Sequence, residues 1–340
     1  MRLYRLLLTA LTLVLLAMPA VPSASAQERC PQLDGLFLQP LELHRSWSTD
    51  DWNGFFEELA GMEVRTLVLQ WTELDQFSVF EGDPETLPEG LIGQLLDSAE
   101  RQGITLRLGL VQDPDYWERI QRDTEQVDVY LRRHRLANRA LAERLIATVG
   151  DRPGFEGWYI TEEIDEVNWQ DDARRALLRA HLAELAGTLR ALAPGRSIAI
   201  SGFTGARLDP TALAGFWQGL LTDSGIDLLM LQDGFGVQPM LAQDLALYLD
   251  ALRLGAAAAG ANLASIPELF TQTAGTPIDE GPFAAAPAPI ERVAAQLHAT
   301  GGLVASRIGF SAEYITSAGG RPSALALQRQ YLAWLRQGCR

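Results

Sequence analysis

The segment GWYITEEID, residues 157–165, runs from apolar residues into Thr161, Glu162, Glu163 and Asp165. A second apolar segment, NLASIPELF (262–270), delivers Glu268. A third, RIGFSAEYI (307–315), delivers Glu313 and Tyr314, and DLLMLQDGFG (227–236) delivers Gln232, Asp233 and Phe235. Two carboxyls facing each other across a cleft are what glycosidic-bond cleavage needs. One protonates the departing oxygen, and the other attacks the anomeric carbon or activates water. Side chains two apart share a face of a strand, so Tyr159, Thr161 and Glu163 form the more polar set, and Trp158, Ile160 and Glu162 the more apolar one. Glu163 is therefore the expected acid and Glu268 its partner. Glu162 is a third catalytic candidate, because strands bend at their ends.

Such residues have to be presented by a scaffold. Eight short apolar runs have strand character: Gly35–Leu41, Arg65–Trp71, Ile104–Val111, Phe155–Thr161, Ser197–Phe203, Asp227–Gln232, Asn262–Pro267 and Arg307–Ala312. Stretches with apolar residues at helical spacing follow them: Asp51–Gly61, Leu91–Gly103, Val127–Thr148, Asp171–Ala193, Pro210–Thr222, Met240–Ala259, Ile290–Thr300 and Ser323–Gln337. Strands two to eight are each preceded by a glycine (Gly61, Gly103, Gly154, Gly195, Gly225, Gly260, Gly302), the expected residue just past a helix end. The strand-to-helix connections are longer and richer in polar and aromatic residues. This order predicts an α/β fold, a single (β/α)8 TIM barrel over residues 27–340, with its site at the C-terminal ends of the strands. The first strand is not followed by the glycine-rich loop of a nucleotide-binding open sheet.

With that frame, the strand ends supply candidate substrate contacts: Gln39, Gln70, Trp71, Tyr159, Gln232, Asp233, Phe235, Glu313 and Tyr314. Trp117, Trp169 and Phe270 add rings that stack on sugar faces. The long segment Thr271–Pro289 is a candidate lid. Arg107 is expected to pair with a barrel carboxylate or to cap the far end. His44 is the one histidine at a strand end, so no metal centre is expected.

Composition excludes further classes. The chain has 340 residues, a net charge of −15 and 28 basic residues, all of them arginine. With no lysine, Schiff-base aldolase and pyridoxal-phosphate chemistry are ruled out. No basic patch suits a nucleic acid. No serine-nucleophile elbow is found, and no cofactor is expected. Arg2 and Arg5, the apolar run Leu6–Leu16 and Ala24-Ser25-Ala26 read as a signal peptide, residues 1–26, cut before Gln27. Later segments lack a membrane span, so the mature chain is expected in the periplasm or secreted, without stable membrane insertion, as a monomer. Cys30 and Cys339 are then expected to pair.

GWYITEEID is similar to the strand-four signature of an uncharacterised bacterial family, a domain of unknown function grouped with the TIM-barrel glycoside hydrolases. GLFLQP, the helix holding Trp52, TLVLQW and LQDGFG resemble its other recurrent segments, so the likeness spans nearly the whole mature chain. The resemblance implies a sugar-active barrel. In the wider clan of retaining glycosidases, strand four carries the acid/base glutamate, matched by Glu163, and strand seven the nucleophile, matched by Glu268. That clan often has Asn-Glu at strand four, the asparagine holding the sugar 2-hydroxyl; here Glu162 takes its place. The expected function is an exported glycoside hydrolase acting on a poly- or oligosaccharide. The alternative is a non-catalytic carbohydrate-binding barrel serving exopolysaccharide handling or export.

Overall fold

Gly35 pairs with Ile308 on one side and with Thr66 on the other, so the first strand joins the last and the sheet closes on itself. The computed structural model describes residues 30–80, 89–237 and 242–339. The expected signal peptide lies outside these residues.

The closed barrel has eight parallel strands. They are β1 Gly35–Leu38, β2 Thr66–Leu69, β3 Thr105–Gly109, β4 Phe155–Ile164, β5 Ser197–Gly202, β6 Leu228–Gln232, β7 Asn262–Ile266 and β8 Ser306–Gly309. Helices alternate with them: α1 Thr49–Gly61, α2 Gly90–Arg101, α3 Thr124–Val149, α4 Asp172–Leu192, α5 Pro210–Leu221, α6 Ala242–Ala258, α7 Ile290–Thr300 and α8 Pro322–Arg336. This is the (β/α)8 architecture expected from the sequence, and all eight strands fall within the compact unit Pro31–Arg340. Side chains of Ser48, Asp123, Asp171 and Asp209 accept backbone N–H groups at the starts of α1, α3, α4 and α5, satisfying donors that have no partner inside the helix.

Gly103, Gly195, Gly225 and Gly260 adopt the left-handed backbone that ends a helix. At the other three junctions a positive φ falls to Glu63, Gly150 and Gly301 instead.

The barrel interior is filled by Phe37, Val68, Tyr159, Ala199, Met230, Ala264, Ile266 and Ile308. At the end of the barrel remote from the strand C-termini, Arg107 pairs with Glu156, which also accepts hydrogen bonds from Thr66 Oγ1 at 2.9 Å and Thr105 Oγ1 at 2.7 Å. Arg107 thus does both things expected of it: it meets a carboxylate, and it closes the bottom.

The connections after the strands carry extra structure. Glu73–Leu74, Phe77–Ser78 and Val111–Gln112 form a three-stranded sheet, and Phe270–Ala274 pairs with Ala284–Pro287 in a hairpin. The segment after β7 is therefore a folded hairpin. Neither cysteine is free; both are disulfide-bonded, and the chain has only these two. Among the described residues, no helix is long and apolar enough to cross a membrane.

Candidate active site

Strand β4 runs past Thr161, where the sequence predicted its end, to Ile164. Its pairing with β5 steps from Ile160↔Ile200 to Glu163↔Ser201, so two extra residues bulge out between them. Ser201 faces the barrel interior, where its Oγ shares a 2.7 Å hydrogen bond with the Tyr159 hydroxyl. Glu163, opposite Ser201, is on that same face.

Glu162 points the other way. His181 Nε2 on α4 donates to Glu162 Oε1 at 2.6 Å, and His134 Nε2 on α3 lies 3.7 Å from the same oxygen. Burial alone would raise the Glu162 pKa, but the two histidines hold it down at about 2. The third catalytic candidate is thus an anion inside the helical layer, away from the mouth. Glu163 receives a side-chain hydrogen bond from Gln232, and burial raises its pKa.

Glu268 leaves the end of β7 almost completely buried. Gly236 N–H donates to its Oε2 at 2.5 Å. Burial and the neighbouring Asp233 charge push its pKa up to about 8, and Glu163 opposes its ionisation from across the mouth. The two carboxyls are therefore within electrostatic reach of each other.

Asp233, expected to touch substrate, is engaged by three protein donors. Its Oδ1 accepts the N–H groups of Phe235 and Glu268, both at 3.2 Å, and its Oδ2 accepts Gln296 Nε2 at 2.6 Å. Gln296 also donates to the Glu268 carbonyl at 3.3 Å, and the Arg292 guanidinium offsets both carboxyl charges. Gln296, Arg292 and Gly236 escaped the sequence reading. Gln296 and Arg292 lie on α7, whose rotation against the barrel no local pattern gives.

The remaining candidates divide. Gln39 Nε2 donates to Gln70 Oε1 at 2.8 Å, and Gln39 N–H donates to Glu313 Oε1 at 2.8 Å, so these three form one network where β8 meets β1 and β2. Burial raises the Glu313 pKa. Gln232, Phe235 and Tyr314 are half-buried at the strand ends. Trp71 is buried, with Nε1 donating to Pro40 O at 3.2 Å, and Trp169 is wholly buried, so neither offers an open ring face. Tyr159 sits in the barrel core, its ring 5.3 Å from that of Phe37, with its hydroxyl engaged by Ser201. His44 is buried with both ring nitrogens used: Nδ1 accepts Leu41 N–H and Nε2 lies 3.1 Å from Ala318 O. Among the described residues no cluster of His, Cys, Asp and Glu has metal-holding geometry.

Comparison with known proteins gives the same architecture. The model of the domain of unknown function DUF4434 matches residues 33–324. The uncharacterized protein YbcH of Escherichia coli (strain K12) is 30% identical over 223 residues, 64% of this chain and 71% of that protein. The crystal structure of a putative alpha-L-fucosidase from Bacteroides thetaiotaomicron VPI-5482 superposes with a TM-score of 0.71 at 17% identity, over 96% of this chain and 99% of the other. A β-galactosidase from the psychrophilic Marinomonas ef1 gives a TM-score of 0.56 at 12% identity, over 91% of this chain and 61% of the other. At these identities the solved structures establish the shared fold.

Proposed function

Because the chain belongs to the DUF4434 family, whose fold it shares with glycosidases, we propose that it hydrolyses glycosidic bonds with Glu163 and Glu268. The observation that carries this is the pair itself: two carboxyls with raised pKa, Glu163 half-buried on β4 and Glu268 buried past the end of β7, with the Glu163 charge opposing the ionisation of Glu268. Structural ion pairs bring carboxylates together with arginine. This pair brings two acids together, which stabilises nothing unless one of them holds a proton.

In the retaining form of the reaction, the one proton the pair holds sits on Glu163 in the reacting state; Glu163 gives it to the glycosidic oxygen while the Glu268 carboxylate attacks the anomeric carbon. The bond to the leaving sugar breaks and a glycosyl ester forms on Glu268. Glu163, now a carboxylate, takes a proton from water, whose oxygen attacks the anomeric carbon and releases Glu268. A carboxyl separation of roughly 5–5.5 Å favours this course over inversion. Gly236 N–H supports the anionic form of Glu268, and Gln232 is placed to orient Glu163. The disulfide supports an oxidising compartment, periplasm or exterior, as the place of action.

The test is a hydrolysis screen over aryl glycosides and polysaccharides with wild type, Glu163→Gln and Glu268→Gln. Turnover by wild type, lost by at least about 1,000-fold in each variant, is expected. Binding without turnover in all three proteins overturns the proposal.

A further inference from the structure

A ring cluster stands at the end of each of the two strands that carry the acids. On the β4 side, the Tyr116 hydroxyl donates to the Glu163 carbonyl at 2.9 Å. The next residue, Trp117, has its ring 4.9 Å from that of Tyr116 and 5.7 Å from that of Phe203. Phe203 N–H donates to Ile164 O at 3.0 Å, which fixes it just past the same bulged strand. Tyr116 is buried under this group, and Trp117 is 39% exposed.

On the β7 side the arrangement repeats with different residues. Phe270 lies against Glu268: a Cβ at Gly236 would be 2.7 Å from both Glu268 Oε2 and the Phe270 ring. The Phe270 ring is 5.9 Å from Phe283 and 5.3 Å from Tyr314. Phe270 is buried and Phe283 is 58% exposed. The loop that presents Phe283 is held from within. Gln272 Nε2 donates to the carbonyls of Ala274, Gly275 and Thr276, and Asp279 Oδ1 accepts the N–H groups of Gly275 and Gly281.

Isolated exposed apolar residues need no explanation. Here one large ring is exposed on each rim, and each is backed by a packed ring that sets its orientation. Strand β3, which leads to Trp117, lies opposite β7, which leads to Phe283, in the closed barrel; β5, which leads to Phe203, is two strands from β7 and three from β8, which leads to Tyr314. The exposed members are useful only to a ligand that continues past the acids in both directions.

We propose that the mouth is the middle of an extended cleft, in which Trp117 with Phe203 and Phe283 with Tyr314 are stacking platforms for sugars on either side of the acid pair. The ligand is then an internal stretch of a glycan chain. Cleavage there, which rests on the hydrolase reading above, is endo-acting. The charges select among glycans. Glu163, Asp233, Glu268 and Glu313 crowd the strand ends, while Arg292 faces Asp233 and Glu268 and Arg321 covers the Tyr314 ring at 5.2 Å. That balance favours an uncharged polysaccharide over a polyuronate.

Binding can be read without turnover, by affinity electrophoresis of the full chain carrying Glu163→Gln in gels containing glucomannan, galactomannan, xylan or polygalacturonate. At least one of the three neutral polymers is expected to retard it, and polygalacturonate is not. Trp117→Ala and Phe283→Ala, each added to that protein, should weaken retention about tenfold with an unchanged urea midpoint, and Trp117→Tyr should retain most of it. A hexasaccharide of the retarding polymer should compete where the same mass of its monosaccharide does not. The proposal is overturned if no neutral polymer retards the protein, if the monosaccharide competes equally, or if either alanine variant binds like its parent. Retention together with a wild type that cleaves none of these polymers ends the hydrolase reading and leaves the platforms standing.

Discussion

His181 Nε2 lies 2.6 Å from Glu162 Oε1, on the opposite side of β4 from the carboxyl of the very next residue, Glu163. Adjacent glutamates thus have opposite duties. Glu162 is a buried anion with a donor, whereas Glu163 is a half-buried acid whose pKa is raised by desolvation. Glu162→Gln should therefore cost about 2–3 kcal/mol in urea unfolding at neutral pH, as the loss of a charged buried hydrogen bond does. Activity per folded molecule should change little. Glu163→Gln should do the reverse, abolishing activity at no cost in stability. Equal urea midpoints for the two variants would contradict this division.

Glu162 also makes the stability of the fold depend on acid. Its pKa is lowered to about 2, so its contribution is complete above the ordinary value near 4.5 and drains away as pH falls from there towards 2. Wild type should lose stability over that window more steeply than Glu162→Gln. Parallel curves of urea midpoint against pH would remove the anion from the account.

Glu268 acts in the opposite direction. Burial and the Asp233 charge raise it to about 8, and the working pair must hold one proton between Glu163 and Glu268. The rate constant kcat/KM should accordingly fall about tenfold per unit above pH 8, when that last proton leaves. Asp233→Asn removes the like charge and should move this alkaline limb to lower pH. The raised pKa also means that stability declines as pH rises from about 4.5 towards 8. An alkaline limb unmoved by Asp233→Asn would show that Asp233 does not tune Glu268.

Much of this was legible in the sequence, and the rest was hidden for definable reasons. Short apolar runs located all eight strands and period-3.6 patterns the helices between them, because each strand is buried on both faces and each helix on one. Alternation also separated Glu162 from Glu163. It stopped short of the bulge after Ile160, which depends on how β4 meets β5 and not on either strand alone. Asp233 looked like a substrate contact because it follows a strand. Its Oδ2 partner, Gln296, is 63 residues away on α7, beyond the reach of any local pattern. Trp71 and Trp169 fall in strand-end segments yet pack inward. Position along the chain placed them near the mouth; only tertiary packing decides which way a ring faces.

The disulfide makes a separate prediction. Cys30 and Cys339 sit close to the two ends of the sequence, so the bond closes a loop almost as long as the chain and restricts the unfolded state. Reduction, or a Cys30→Ser Cys339→Ser double variant, should lower stability by about 2–4 kcal/mol. Because Cys339 follows the C-terminal end of α8 and not the end of a strand, kcat at a temperature well below unfolding should hold. A matching loss of kcat would tie the termini to the site and contradict this separation.

Gly236 offers the sharpest test of how Glu268 is held. Its N–H donates to Glu268 Oε2 at 2.5 Å, and a Cβ would meet that oxygen and the Phe270 ring at 2.7 Å. Neither neighbour can yield easily. Phe270 packs against Phe283, Phe310 and Tyr314, and the Glu268 backbone is tied to Asp233 and Gln296. In Gly236→Ala the loop must therefore lift away, lengthening the N–H···O bond that supports the carboxylate. A misplacement of this size near the reacting centre costs about 100-fold in kcat. Stability should change little, since the loop lies at the barrel rim. Gly236→Ala combined with Phe270→Leu opens room for the new methyl and should recover part of the rate. If the double variant is as slow as the single one, the loss comes from the loop backbone itself and the steric account fails.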